Sequence, residues 1–202
     1  MKIICIGRNY AKHAKELGNE VPDEPVIFIK PSTSLNLEDE FYMPTWSENI
    51  HYELELVIRI EQTGKNISLE NAPKYYDKIT LGIDFTARDL QMQLKSKGLP
   101  WEKAKAFDKS AYLNSLIPFN KLKNQNEITF ELKKNGESVQ LGNSKHMLFN
   151  TNELIVNASK YFTLEKGDLL YTGTPAGVGS VKSGDILTGI LEDKTLFDLK
   201  IK

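Results

Sequence analysis

The sequence is poor in the residues that build redox and soft-metal chemistry: 202 residues hold one cysteine, Cys5, and three histidines. A disulfide within the chain is excluded, and Cys5, set in an apolar strand pattern, reads as a buried inert thiol rather than a nucleophile. No charge of one sign dominates, since 26 basic and 27 acidic residues leave a net charge of -1. A polyanion therefore meets no broad basic field, and nucleic-acid binding is not expected. Long apolar runs are missing too. Ile3 to Ile6 and the charge-interrupted Leu54 to Ile60 fall far short of the roughly 20 residues a membrane helix requires. Met1-Lys2 leads straight into an apparent strand, without the regions of a secretory signal, so a cytoplasmic protein with no membrane association is expected. Linker-like stretches, fixed-period repeats and low-complexity segments are absent, and one catalytic domain over 1–202 is the expectation.

What is present reads as strand-rich α+β. Lys2 to Ile6 and Val26 to Ile29 suit strands, and Asn9 to Leu17 a short helix stopped by Gly18. Pro31 to Glu40 reads as an irregular loop able to cover a site. From His51 to Ile60 the sequence alternates: Tyr52, Leu54, Leu56, Ile58 and Ile60 fall on one face, His51, Glu53, Glu55, Val57 and Arg59 on the other. Ser68 to Tyr76 suits a weak helix and Ile79 to Asp84 a strand. Thr86-Ala87-Arg88-Asp89 reads as a capping box opening a helix to Lys97, which Gly98 and Pro100 end. Asn135-Gly136 between Ile128–Leu132 and Ser138–Leu141 is a hairpin signal. Asn150 with Glu153 opens a helix to about Phe162, and the glycine-punctuated last forty residues suit short strands.

Chemistry is carried by a few polar residues. Glu53 and Glu55, two apart on one strand, project together and can supply oxygen ligands to a hard cation; a solvated strand face is the plainer alternative. Asp84 ends an apolar strand near the next helix, either as a third ligand or as that helix's N-cap. An all-carboxylate set suits Mg2+ or Mn2+ and suits zinc poorly. His13 and Glu16, three apart, could activate water, or simply form a surface ion pair. Arg8 could bind an anion or pair with an acid. Arg88 and Gln91 share a helical face and could bind a substrate carboxylate, against a reading as exposed helix polarity. Lys105 lies in a Gly98-Leu-Pro-Trp-Glu-Lys-Ala-Lys-Ala-Phe107 stretch that reads as a shaped wall, with Lys103 its solvated neighbour. Thr172-Gly-Thr-Pro-Ala-Gly-Val-Gly179 could bring backbone amides and the Thr174 hydroxyl to a ligand oxygen, or build a sheet corner. It lacks the Lys-Ser/Thr ending of a P-loop.

Taken in order, Gly7-Arg-Asn-Tyr-Ala-Lys-His13 with Glu16, Lys30-Pro-Ser-Thr-Ser34, His51-Tyr-Glu-Leu-Glu55, Gly82-Ile-Asp-Phe-Thr-Ala-Arg-Asp89 and the Thr172 loop resemble the fumarylacetoacetate hydrolase family over nearly the whole chain. Gly98-Leu-Pro-Trp101 through Lys105 is similar to its small members of the acylpyruvate hydrolase and oxaloacetate decarboxylase type. The resemblance implies a mixed β-sheet roll with short peripheral helices and a homodimer. It implies Mg2+ or Mn2+ on Glu53, Glu55 and Asp84, a catalytic His13-Glu16 dyad, and ligand contacts from Arg88, Gln91, Lys105 and Thr174. Lys105 counts among the catalytic candidates as well, and Arg8 among the substrate-binding ones. The implied substrate is a small 2-oxo acid, cleaved at a carbon-carbon bond by acylpyruvate hydrolysis or oxaloacetate decarboxylation through an enolate. Isomerisation or tautomerisation at the same site, and a metal-stabilised binding module without turnover, are the alternatives. Phe107-Asp-Lys-Ser-Ala-Tyr-Leu-Asn114 and His146-Met-Leu-Phe149 depart from the family pattern, which leaves substrate preference open.

Overall fold

The computed structural model of the protein describes residues 1–16, 18 and 20–202. Strands dominate because the apolar residues alternate, and among the described residues they form three sheets. The largest is mixed and runs Val26–Lys30, Ile3–Gly7, Leu169–Tyr171, Leu54–Ile60, Tyr76–Asp84, Ala111–Leu113 and Leu35–Asn36, with Ile117–Pro118 also paired to Tyr76–Asp84. Ile3–Gly7 and Leu169–Tyr171 are parallel, whereas Leu54–Ile60 and Tyr76–Asp84 are antiparallel. Both faces are covered, which is why Ile3 to Ile6 is uninterruptedly apolar. Ile4 and Ile6 join a large core with Leu54, Leu56, Ile58 and Ile60, while Ile3 and Cys5 join Val57, Leu169 and Tyr171 on the opposite side.

The second sheet runs Glu137–Asn143, Thr129–Lys134, Ile186–Leu191, Lys194–Ile201 and Glu40–Phe41. Its Phe130, Leu132, Leu187, Phe197 and Leu199 close the large core from the other side. The third is small, with Ile50–Tyr52 between Gly179–Ser180 and Thr86–Ala87. Among the described residues four short α-helices lie around these sheets: α1 (Ala11–Glu16), α2 (Arg88–Ser96), α3 (Glu102–Lys105) and α4 (Thr151–Tyr161). The fold is therefore the expected strand-rich α+β arrangement of curled mixed sheet and few short helices.

Several local expectations hold. Asn135 and Gly136 both adopt positive φ, 53° and 86°, as a two-residue hairpin turn requires. The Asn150 side chain accepts from the Asn152 and Glu153 amides, while Glu153 Oε2 accepts from the Asn150 amide, a complete capping box.

Others are corrected. The continuous 51–60 strand is two strands broken at Glu53, because the Leu54 amide leaves the ladder for a side chain, Gln140 Oε1, at 2.9 Å. The 68–76 helix reduces to a 3-10 turn over Ala72–Tyr75. Thr86 does not cap α2: it sits in a strand, its hydroxyl donates to Glu53, and Ala87 occupies the cap position without a side-chain bond. Lys105 belongs to a regular element after all, the last residue of α3. The 31–40 segment lines no part of the cavity described below; Ser34 Oγ and the Thr33 carbonyl instead bond Ala106 and Lys109. The expected helix end at Leu17 lies outside the described residues. Among them, no helix is long and apolar enough to cross a membrane.

Candidate active site

Glu53 marks the point where the chain leaves the small sheet for the large one, and Glu55 follows on the same face. Opposite Glu55 in the antiparallel register stands Gly82, where a Cβ would meet the Tyr112 carbonyl, the Tyr171 ring and Val57 at 2.7–2.8 Å. Glycine is needed there for close packing beneath the carboxylate. Two residues on, Asp84 ends its strand, with its amide bonded to the Glu53 carbonyl at 2.9 Å. The three buried side chains each offer an oxygen, all within 4.8 Å of one another.

Three buried cations surround these acids. Lys105 Nζ donates to Glu53 Oε2 at 2.7 Å and Asp84 Oδ2 at 2.8 Å. Arg88 Nη2 donates to Glu53 Oε1 at 2.5 Å, where the Thr86 hydroxyl adds a bond of 3.1 Å. Lys30, fully buried, brings Nζ to 2.6 Å from Asp84 Oδ1. That approach is an ion contact outside hydrogen-bonding geometry, which leaves Asp84 Oδ1 without a hydrogen bond; Lys30 spends its hydrogen bonds on Ser110 Oγ and O and the Phe85 carbonyl.

These surroundings split the two glutamates. Burial would raise the Glu53 carboxyl, but Lys105 and Arg88 beside it hold it well below the ordinary range. Glu55 is pushed well up, by burial first and then by Asp84 and Glu53, with the Gly173 amide its one offsetting hydrogen bond, at 2.7 Å. Lys105 stands above the ordinary lysine value, since Asp84 and Glu53 outweigh the opposing effect of burial. The donor set fits a hard divalent cation: all oxygen, buried, with unspent acceptor capacity on Glu55 and Asp84.

These groups open on a small cavity of about 40 Å³, lined also by Arg8, His13, Gln91, Trp101 and Thr174. Every residue put forward in the sequence for catalysis, substrate or metal binding therefore lines it except Glu16. His13, buried on α1, bonds Glu16 through Nδ1 at 3.2 Å, and Glu16 in turn accepts from the Gly177 amide of the glycine-rich loop. The pair expected of His13 and Glu16 is formed with only its histidine buried, and the exposed-helix alternative for Arg88 and Gln91 is set aside. Arg88 and Gln91 are buried and joined, Nη1 to Oε1, at 2.6 Å. Lys103 is exposed. A larger groove, about 690 Å³, lies elsewhere along α4 and Phe119 to Ile128. Its titratable lining among the described residues is Tyr76, Lys145 and Glu153, without the carboxylate cluster and facing cations that mark the smaller cavity.

A family model described as fumarylacetoacetate (FAA) hydrolase C-terminal matches residues 2–196. The chain belongs to the fumarylacetoacetate hydrolase family. Within it, the chain is 43% identical to a mitochondrial oxaloacetate decarboxylase of Dictyostelium discoideum, over 92% of this chain and 86% of that one. It is 42% identical to an oxaloacetate tautomerase of Escherichia coli, over 96% and 90%. A crystal structure of fumarylpyruvate hydrolase from Pseudomonas aeruginosa, in complex with Mn2+ and pyruvate, superposes with a TM-score of 0.93 at 34% identity, covering 100% of this chain and 89% of that one.

Two buried site residues escaped the sequence reading as individuals. Lys30 was legible only as part of the Lys30-Pro31 motif, with nothing in the sequence to aim it at Asp84. Gln140 carries a signal of its own: in the Glu137–Asn143 strand it is buried while its neighbour Leu141 is 73% exposed, an inversion of the usual alternation.

Proposed function

We propose that this member of the fumarylacetoacetate hydrolase family is a divalent-metal-dependent enzyme acting on a small 2-oxo acid, cleaving a carbon-carbon bond as an oxaloacetate decarboxylase, an acylpyruvate hydrolase or both. The observation that carries the reading is the buried Glu53, Glu55 and Asp84 cluster at the floor of a cavity walled by cations. These three would hold Mg2+ or Mn2+, which supplies Lewis-acid chemistry, polarising a carbonyl and accepting charge that develops on its oxygen.

The protein's own groups divide the remaining work. Arg8 and Arg88 face the cavity with positive charge and, with Gln91, suit a substrate carboxylate. Thr174 presents a hydroxyl and Lys105 an ammonium to developing negative charge. His13, held by Glu16, stands at the cavity wall where it can take a proton from water for hydrolysis or move one to or from carbon.

A second reading, oxaloacetate keto-enol tautomerisation, is favoured by the His13-Glu16 pair, because that reaction asks only for proton transfer. The tautomerase name of the Escherichia coli relative points the same way.

The test incubates the protein with Mg2+ or Mn2+ and either oxaloacetate or acetylpyruvate, following pyruvate release and keto-enol exchange separately. Glu53→Ala should abolish all turnover. His13→Ala should lose hydrolysis by roughly 10²–10⁴-fold and retain decarboxylation. Absence of pyruvate release from either substrate, with metal bound, would sink the cleavage reading; exchange alone would establish the tautomerase.

A further inference from the structure

We infer that Gln140, a residue of the second sheet, positions the Thr174 hydroxyl so that its proton is aimed into the cavity as a hydrogen-bond donor to substrate. The inference rests on the reading of that cavity as the substrate site.

The argument begins with which end of the amide is which. Gln140 Oε1 accepts from the Leu54 amide at 2.9 Å, and Nε2 donates to the Pro175 carbonyl at 2.9 Å. A backbone N–H can only donate and a carbonyl can only accept, so the amide orientation is fixed at both ends. The second proton on Nε2 goes to Thr174 Oγ1 at 2.8 Å. Thr174 must accept that bond, and its own O–H then has to point elsewhere. Among the described residues no acceptor for it is found, and Thr174, 3% exposed, lines the cavity. A buried donor without a partner is costly, and a ligand oxygen is the partner that the place provides.

The same side chain sits at a structural junction. Leu54 lies between Glu53 and Glu55, and Pro175 follows Thr174 in the glycine-rich loop. One buried amide, 1% exposed, thus ties the two glutamates' strand to the loop that delivers the hydroxyl. The loop runs hard against the Gln140 strand: a Cβ on Gly177 would meet the Val139 carbonyl at 2.1 Å. Gln140 does not reach the cavity itself and is a positioning residue.

Gln140→Glu is nearly isosteric, and its carboxylate can keep the Leu54 bond while offering no N–H to Thr174. The hydroxyl would then donate to that carboxylate and turn its lone pairs toward the anionic ligand. With Mg2+ present and oxalate as the probe, calorimetry should show oxalate affinity lower by about 10- to 100-fold in Q140E, with KM for a turned-over 2-oxo acid rising alongside. In a Thr174→Val chain the same substitution should add less than about twofold, since the hydroxyl through which it acts is gone. Equal losses in both backgrounds would show that Gln140 works only as a brace for Leu54 and Pro175, and would overturn the inference. If Q140E does not fold, the single variants decide: Thr174→Val should weaken oxalate about tenfold and Thr174→Ser should restore it. Unchanged affinity in Thr174→Val overturns the inference while leaving the cavity reading intact. Failure of the wild-type protein with Mg2+ to bind oxalate overturns both.

Discussion

Glu53 receives hydrogen bonds from Arg88, Thr86 and Lys105, whereas Glu55 receives only that of the Gly173 amide. Two carboxylates on one strand face thus differ in what their charge costs. Glu53 is held ionised by its partners; Glu55, buried between Asp84 and Glu53, is the member whose charge is least compensated in the metal-free protein. Glu55→Gln should accordingly stabilise the metal-free protein, since the amide oxygen keeps the Gly173 bond and the repulsion disappears. A gain of about 1–2 kcal/mol is expected, or roughly 2–8 °C in Tm for a chain of this size, together with loss of divalent-ion affinity. Calorimetric scans in chelator would check it, and a lowered Tm would contradict the repulsion argument.

Among the elements, α2 shows how a helix start can be legible in kind and wrong in detail. Thr86 and Asp89 have capping-box spacing, but Thr86 gives its hydroxyl to Glu53, and Asp89 accepts instead from Ser47 Oγ at 2.7 Å and from the Leu90 and Glu48 amides. Burial is the largest single influence and works against the Asp89 carboxylate, but the hydrogen bonds together outweigh it and hold its carboxyl below the ordinary value. A depressed carboxyl contributes stability that is full above the unfolded value of about 3.9 and is lost as pH falls through the folded one. Ser47→Ala should therefore cost about 1 kcal/mol near pH 7, and the gap from wild type should narrow below about pH 4; urea titrations at pH 7 and pH 3 measure both. The turn at Asn135-Gly136 and the cap at Asn150 were legible because each depends on residues within four positions. The strand break at Glu53 was not, because its cause, Gln140, lies 86 residues from Leu54 in sequence. Lys105 was recognised as a wall residue, yet its bonds to Glu53 and Asp84, 52 and 21 residues distant, are products of the sheet register.

For the whole molecule, the three-carboxylate cluster couples the core to ligand binding. An ion that binds only the folded state adds RT ln(1 + [L]/Kd) to stability, about 2.7 kcal/mol at a hundredfold excess over Kd. Mg2+ or Mn2+ should raise Tm by roughly 5–10 °C under those conditions, reversibly on chelation, and Glu53→Ala should remove the response. A wild-type Tm indifferent to either ion would count against the metal site. The parallel pairing of Ile3–Gly7 with Leu169–Tyr171 bears on time as well as space. During synthesis the first strand meets one neighbour early, in Val26–Lys30, but its other neighbour is made more than 160 residues later, together with the Thr172 loop that completes the cavity wall. The wall of the cavity is therefore completed only once Thr174 has been made, after the strands that carry Glu53, Glu55 and Asp84 already exist.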